Sequence, residues 1–509
     1  MRFSPRPALA IVLIFGCAVL ARAQDLRSFE KKVTTKVLDN GLTLIVVERP
    51  EAPVFSFFVH VDAGSSQEVP GITGLAHMFE HMAFKGTDKI GTTDWPAEKV
   101  ALERVESAYA AYSRERLRQT GRDEARLAEL EKGWRDAMAA ADQYVIPSEF
   151  EEILEREGGR DANAFTSNDE TAYFYSMPSN RLELWAHLES ERFLTPVMRE
   201  FYKERDVVVE ERRMRVESDP FGILFEEFLA QAFAAHPYGL PGTGWPSDLE
   251  SFSATDAMEF YRTYYVPANM VVAVVGDVRA GEVIPLAEKY YGRLPSGAEP
   301  PTLRTVEPPQ SGERTVLLRL SAQPVYLEGY HKPSTLHPDD SIYEVIGDLM
   351  STGRTSRLYR ALVRDQRIAA WSAGFNGLPG EKYPNLFAFA AIPTPGHTPG
   401  ELRRAIHAEI ERLKKEDVTD EELRMVKTRA KAALIRGLDS NAGLAAQLAT
   451  AHARHGDWRE LFRQVDKIEK VTKADIRRVA NEVFVESNRT VGIIETRTTG
   501  TPSQEGTDE

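Results

Sequence analysis

Two distant stretches of this chain end alike. "YVPANMVVAVVG" (265–276) follows the polar-capped helix pattern "SATDAMEFYRTY", and "FVESNRTVGIIE" (484–495) follows "VTKADIRRVANE". A helix, a loop and a buried-type strand recurring in that order point to a duplicated α+β unit. This restricts the fold more than any compositional figure does. The expectation is α+β: two homologous α/β-sandwich units in one chain, each a mixed or antiparallel sheet with helices packed on it. Between them "RLPSGAEPPTLRTVEPPQSGER" (293–314) has the composition of an exposed linker. The first unit is expected over 24–295, the linker over 296–314 and the second unit over 315–497. Residues 498–509 are polar, rich in Gly and Thr, and expected to be disordered.

Residues 1–23 belong to neither unit. Arg2 and Arg6 precede an apolar run from Ala8 to Leu20, and "ARA" follows at 21–23. That is the pattern of an export signal, too short to span a bilayer. "IFGC" (14–17) approaches a lipoprotein box, but Phe15 departs from it, so a soluble periplasmic protein is expected. Cys17 is the single cysteine and lies inside the signal, which excludes disulfides, a thiol nucleophile and sulfur ligands from the mature chain. With 63 Lys and Arg against 77 Asp and Glu the chain is acidic, more so once Arg2, Arg6 and Arg22 are removed. Such a surface repels phosphate backbones, so nucleic acid is not an expected partner.

Within the first unit, "VLDNGLTLIVVE" (37–48) reads as two strands joined at Asn40-Gly41, and "VFSFFVHVDAG" (54–64) as another strand. "ANAFTSNDETAYFYSMP" (162–178) reads as a strand pair and "NMVVAVVGDV" (269–278) as a buried strand. Residues 96–142 have two sets of apolar residues at helical spacing, one around Tyr109 and one around Trp134, separated by Thr120-Gly121. They form a charged helical-hairpin insertion, either a solvated excursion packed along one seam or a partner contact.

"GLAHMFEHMAFKGT" (74–87) carries the chemistry. Thr73 is a plausible N-cap and Gly86 a stop. At roughly 100° per residue, His77 and His81 differ by about 40°, with Glu80 about 60° to the other side of His77. Two imidazoles at i and i+4 can converge on one zinc ion, beside a carboxylate placed to handle a proton. Isolated core histidines are common; with only 11 histidines in the chain, this pairing with an acid arises by chance in only a few of a hundred such chains, roughly. A catalytic zinc needs a further ligand. In "ERDVVVEE" (204–211), Glu204 and Glu211 return to within roughly 20° of each other, and Glu210 points elsewhere. Val207 and Val208 mark that helix's buried side, so both acids face inward and need a partner; the alternative is a charged, exposed helix.

With both helices in view, the chain resembles the pitrilysin family of inverted-motif zinc metallopeptidases, and within it the short bacterial branch similar to mitochondrial processing peptidases. The family pattern is H-x-x-E-H followed downstream by E-x-x-x-x-x-x-E. The resemblance implies one zinc per chain held by His77, His81 and Glu211, with Glu80 as general base and Glu204 supporting a ligand from behind. The gap from His81 to Glu211 is longer than usual, an excess that residues 96–142 account for. By the same resemblance an extended peptide adds to a sheet edge at "NAFTS", beginning at Asn163. "GRTSRLYRALVRDQRIAAWSAGF" (353–375) is similar to the family segment in which an arginine and a tyrosine seven apart hold substrate from the opposite wall. Here these positions are Arg364 and Trp371, with Ile368 in place of a glycine. The alternative is an amphipathic helix leading into a core strand. The resemblance also implies that one chain is half of a two-subunit chamber, as a homodimer or with a related subunit. The expected function is a zinc-dependent endopeptidase acting on extended peptides or unfolded segments. A non-catalytic assembly subunit is the rival; a zinc carrier would want a His-rich flexible tract, which is absent.

Overall fold

The computed structural model describes residues 29–497; the expected signal and tail lie outside them. Strands β1 (Val33–Val37), β2 (Thr43–Glu48), β3 (Val54–Val61), β4 (Arg160–Thr166), β5 (Thr171–Pro178) and β6 (Met270–Gly276) form one sheet, ordered β1-β2-β6-β3-β5-β4. Strands β7 (Arg314–Leu320), β8 (Val325–Lys332), β9 (Ala369–Leu378), β10 (Asn385–Pro393) and β11 (Arg489–Thr496) form a second, ordered β7-β11-β8-β10-β9. Apart from β1 the two orders are the same, position for position. Each has one parallel pair, β2 with β6 and β7 with β11, and antiparallel pairing elsewhere. The helices correspond too. One helix follows β3 (Leu75–Met82) and one follows β8 (Asp340–Ser351). After the strand pair come Leu182–Leu194, Phe201–Arg212 and Pro220–Ala232 in the first half; Pro399–Lys415, Asp420–Gly437 and Asn441–His455 follow in the second. Ala254–Tyr264 then leads into β6, and Lys473–Val483 into β11. The echo in the sequence is the end of a repeat that runs through both halves.

The halves are nonetheless interlocked. One face of each sheet carries its own helices, but the other is covered from across the molecule. Leu444, Ala445, Leu448 and Ala449 of the Asn441–His455 helix pack on Ile45, Phe58, Val271 and Ala273 of the first sheet. Reciprocally, Leu224, Phe228 and Leu229 of the Pro220–Ala232 helix pack on Val316, Leu327 and Ile494 of the second. Covering both faces is why β6 reads "MVVAVVG" and is buried along its whole length, with no polar alternation.

Two helices, Trp95–Arg116 and Glu124–Asp142, lie antiparallel in the residue 96–142 region. Two sequence expectations and one alternative reading need correction. The motif helix starts at Leu75 with Gly74 as its N-cap, not Thr73, whose hydroxyl instead donates to Asp248. Val207 is exposed and only Val208 is buried, because a helix cannot bury three consecutive valines on one face. Strand β9 is an edge strand, not a core one, and Trp371 on it is 43% exposed.

Candidate metal centre

The motif helix is short and its start is built from outside. Gly74 has φ +95°, a left-handed conformation, and a side chain there would run into Leu249 and Gly244. With no capping side chain of its own, the helix takes Glu68 instead: its carboxyl accepts the N–H groups of Gly74 and Ala76, each at 2.7 Å. Burial pushes that carboxyl up to about 8, against the pull of the two donors. Asp248 accepts from Gly71 and Thr73 and fixes the preceding turn. His77, Glu80 and His81 thereby project from a helix whose orientation is set by two buried acids.

The Phe201–Arg212 helix brings the second motif to the same place. Glu211 Oε2 lies 3.6 Å from His77 Nε2 and 3.5 Å from His81 Nε2. Ligands about 2.1 Å from a tetrahedral ion are separated by about 3.4 Å. Glu211 thus stands at the spacing of zinc ligands from each imidazole, and the three ligand atoms all lie within 4.8 Å of one another. Among the described residues they are the one group of His, Cys, Asp or Glu that could close on an ion. Each carboxylate has one oxygen held by a cation and one turned to the histidines. Arg215 Nη2 lies 2.7 Å from Glu211 Oε1, and Lys85 Nζ lies 2.5 Å from Glu204 Oε1. Glu204 Oε2 faces His81 Nδ1 at 3.4 Å, so the Nδ1–H tautomer leaves the Nε2 lone pair directed at Glu211. Burial pushes His77 down to about 4, which keeps it neutral and able to ligate. Partial burial lowers His81 as well, but the carboxylates of Glu204, Glu211 and Glu80 outweigh this and raise it. Glu80 is raised by burial, and Thr166 Oγ1 donates to its Oε2 at 2.7 Å.

His77, Glu80, His81, Thr166, Glu211 and Arg215 line a cleft of about 580 Å³, with Glu204 behind His81. Strand β4, the free edge of the first sheet, forms one wall through Asn163 to Thr166, and the Pro220–Ala232 helix forms another through Phe225 and Leu229. All the residues expected from the first unit therefore meet here. Arg364 and Trp371 do not line this cleft: Arg364 is exposed and paired with Asp365, and Trp371 sits by Phe375 on the edge of the second sheet. The sequence reading missed Thr166, Lys85, Arg215 and Glu68. Arg215 is four residues past Glu211 and could have been found by helical spacing. Thr166 could have been found by alternation from Ala164, whose side chain is buried. Nothing local signals Lys85 or Glu68. The backbone after Glu211 changes to a π-helical turn over Arg213–Glu217, a local irregularity that recurs at functional sites.

An inverted H-x-x-E-H on one helix, a glutamate from a second and a duplicated two-sheet fold together define the class of inverted-motif zinc metallopeptidases. The comparisons agree. The model of the insulinase family of peptidases, peptidase family M16, matches residues 43–114 and 141–244, and that of the peptidase M16 inactive domain matches 251–430. The chain belongs to peptidase family M16. It is 28% identical to the zinc protease PqqE of Helicobacter pylori over 95% of this chain and 96% of that one. A crystal structure of a protease from Helicobacter pylori superposes with a TM-score of 0.75 at 28% identity, covering 91% of this chain and 99% of that one. The fold is also that of the periplasmic protease PqqL of Escherichia coli, with a TM-score of 0.67 at 18% identity over 92% of this chain and 48% of that one. The first model's match breaks between 114 and 141, across the Glu124–Asp142 helix, whereas most of Trp95–Arg116 lies inside it.

Proposed function

We propose that the chain is a zinc-dependent endopeptidase that hydrolyses extended peptides or unfolded protein segments, in a chamber completed by a second subunit. The convergence of Glu211 on His77 and His81 at tetrahedral spacing carries the reading. His77, His81 and Glu211 would hold the metal, which when bound supplies Lewis acidity towards the scissile carbonyl and the attacking water. Glu80 stands beside the ligands with its carboxyl held up by burial, the state suited to taking a proton from water and returning it to the leaving amine. Thr166 fixes the orientation of Glu80, and Glu204 that of His81. The unpaired side of β4 offers backbone groups to an extended substrate, with Asn163 at its start; backbone pairing tolerates many sequences and favours unfolded segments.

Two observations support the second subunit. The cleft is walled on this chain by the first unit, while Arg364 and Trp371 present outward on the second. The chain also spans about half the length of PqqL while matching its fold. A homodimer, or a pairing with a related subunit, would set Arg364 and Trp371 of one chain against the cleft of another. The leader-like residues 1–23 support export to the periplasm.

Metal content and hydrolysis of a quenched peptide test this together. Wild type is expected to hold about one zinc and to cleave. Glu80→Gln is expected to keep the metal and lose about 10²-fold or more in rate, and His77→Ala to lose both. A chain that binds zinc but never cleaves, alone or with a related subunit, is an assembly subunit and sinks the proposal.

A further inference from the structure

Matched element by element, the two halves each enclose a cavity among the same three helices. The cleft lies among Leu75–Met82, Phe201–Arg212 and Pro220–Ala232; the counterparts are Asp340–Ser351, Asp420–Gly437 and Asn441–His455. Between those three and the Glu460–Lys470 helix lies a cavity of about 520 Å³. Its chemistry has been exchanged. Asp340 and Glu344, at i and i+4, line it from the helix where the first half has His77 and His81. The facing helix contributes Ala430, Ala433 and Leu434, where its counterpart has Glu204 and Glu211. The third metal ligand is therefore gone, and a carboxylate pair faces an apolar wall.

The charges on that wall do not balance. Asp340 is neutralised by Lys332 at 3.9 Å and accepts from Thr335 and Gln464. Glu381 is paired with Arg454. Glu344 has no Lys, Arg or His nitrogen within 4.0 Å among the described residues. Burial and the neighbouring Asp340 hold its carboxyl up at about 7, against the weaker pull of Gln464 and the more distant Lys332. Arg454 and His455 also line the cavity, but among the described residues neither stands within 4.0 Å of Glu344, which is left without a positive partner of its own.

We propose that this cavity binds an ammonium or guanidinium group carried on an aliphatic stem, with Glu344 as its counter-charge and the Ala430, Ala433 and Leu434 wall packing the stem. A basic side chain of a peptide and a free polyamine share this chemistry. The site would act apart from the metal cleft and does not depend on the peptidase reading.

Titration calorimetry of the whole chain tests it with N-acetyl-lysine amide, N-acetyl-arginine amide, spermidine and uncharged N-acetyl-norleucine amide. The expected result is saturable binding of one or more charged probes and none of the norleucine derivative. Glu344→Gln is expected to weaken binding about tenfold or more, through loss of a charge-assisted bond, with zinc content unchanged. Ala451→Leu, which narrows the cavity without touching a charge, should weaken it as well. Tighter binding of the amino-acid amides than of spermidine assigns the site to a peptide side chain, and the reverse to a polyamine. Absence of saturable binding to wild type, equal binding of norleucine, or binding untouched by both substitutions would overturn the proposal. Because binding is read by heat and not by turnover, an inactive chain that still binds would sink the peptidase reading alone.

Discussion

At the scale of single residues, the proposed metal centre depends on groups outside the three proposed ligands. Glu204 holds the Nδ1 side of His81 while Lys85 holds Glu204. Glu204→Gln should therefore fold normally yet bind zinc about 10- to 100-fold more weakly, as measured by competition with a chelator. Glu68 acts one step further out, through the helix start. Its folded-state carboxyl lies near 8, above the ordinary carboxylate value of 4.5, so the folded chain holds a proton there that the unfolded chain has lost. Stability from this group is complete below about 4.5, declines as pH rises, and is gone above about 8. Melting temperature should fall between pH 6 and 8.5 in wild type. In Glu68→Gln it should start lower, because an amide nitrogen cannot accept the second N–H, and vary less across that range. A wild-type slope that survives the substitution would remove Glu68 as its cause. His77, Glu80 and His81 were legible in the sequence because one helical turn fixes their relation. Glu68 was not, because a carboxyl reaching back to cap Gly74 and Ala76 leaves no local period.

At the scale of elements, the hairpin of Trp95–Arg116 and Glu124–Asp142 braces the back of the helix that carries Glu204 and Glu211. Trp134 stacks on Tyr112 at 5.2 Å and meets Tyr109 at 5.2 Å and Tyr202 at 5.1 Å. Arg205 lies over this aromatic group and donates to the Tyr109 hydroxyl at 2.7 Å. Tyr202 and Arg205 sit just before and after Glu204, so a loosened brace is felt at the proposed metal ligands. Trp134→Ala should cost about 3 kcal/mol in denaturant unfolding and weaken zinc binding. Trp134→Phe should cost much less, since the buried indole N–H has no partner to lose. The hairpin was readable from helical spacing around Tyr109 and Trp134. The error at β9 has an equally physical source: an apolar run such as "AAWSAGF" does not say which of its sides is paired. Only the sheet order places Trp371 at an open edge. The strand pair at 162–178 was easier, because β5 alternates little and β4 is polar, as expected for a central strand beside an edge.

At the scale of the whole molecule, the repeat was legible at its ends, in the matching runs into β6 and β11, but the exchange of helices was not. Asn441–His455 is amphipathic in either arrangement, and nothing in its sequence tells whether Leu444 and Leu448 meet their own sheet or the other. The consequence is thermodynamic. Cut at the Pro-rich segment, the first half would expose Phe58, Val271, Ala273 and Val275, and the second would expose Val316, Leu327 and Ile494. Apolar faces of that extent are not left open on stable monomers. Residues 24–305 expressed alone should therefore aggregate or remain unfolded, and so should 306–509. Co-expressed, the two should form a one-to-one complex whose unfolding is a single transition, since neither sheet is complete before the other half's helix arrives. Asp169 adds a polar lock, accepting from the backbone of Glu381 and Lys382 and from the Tyr238 hydroxyl. Light scattering and calorimetry on the separate and combined fragments decide the matter. A first half that is soluble and melts cooperatively by itself would mean that the exchanged helix is dispensable, and that the metal centre is held by its own unit alone.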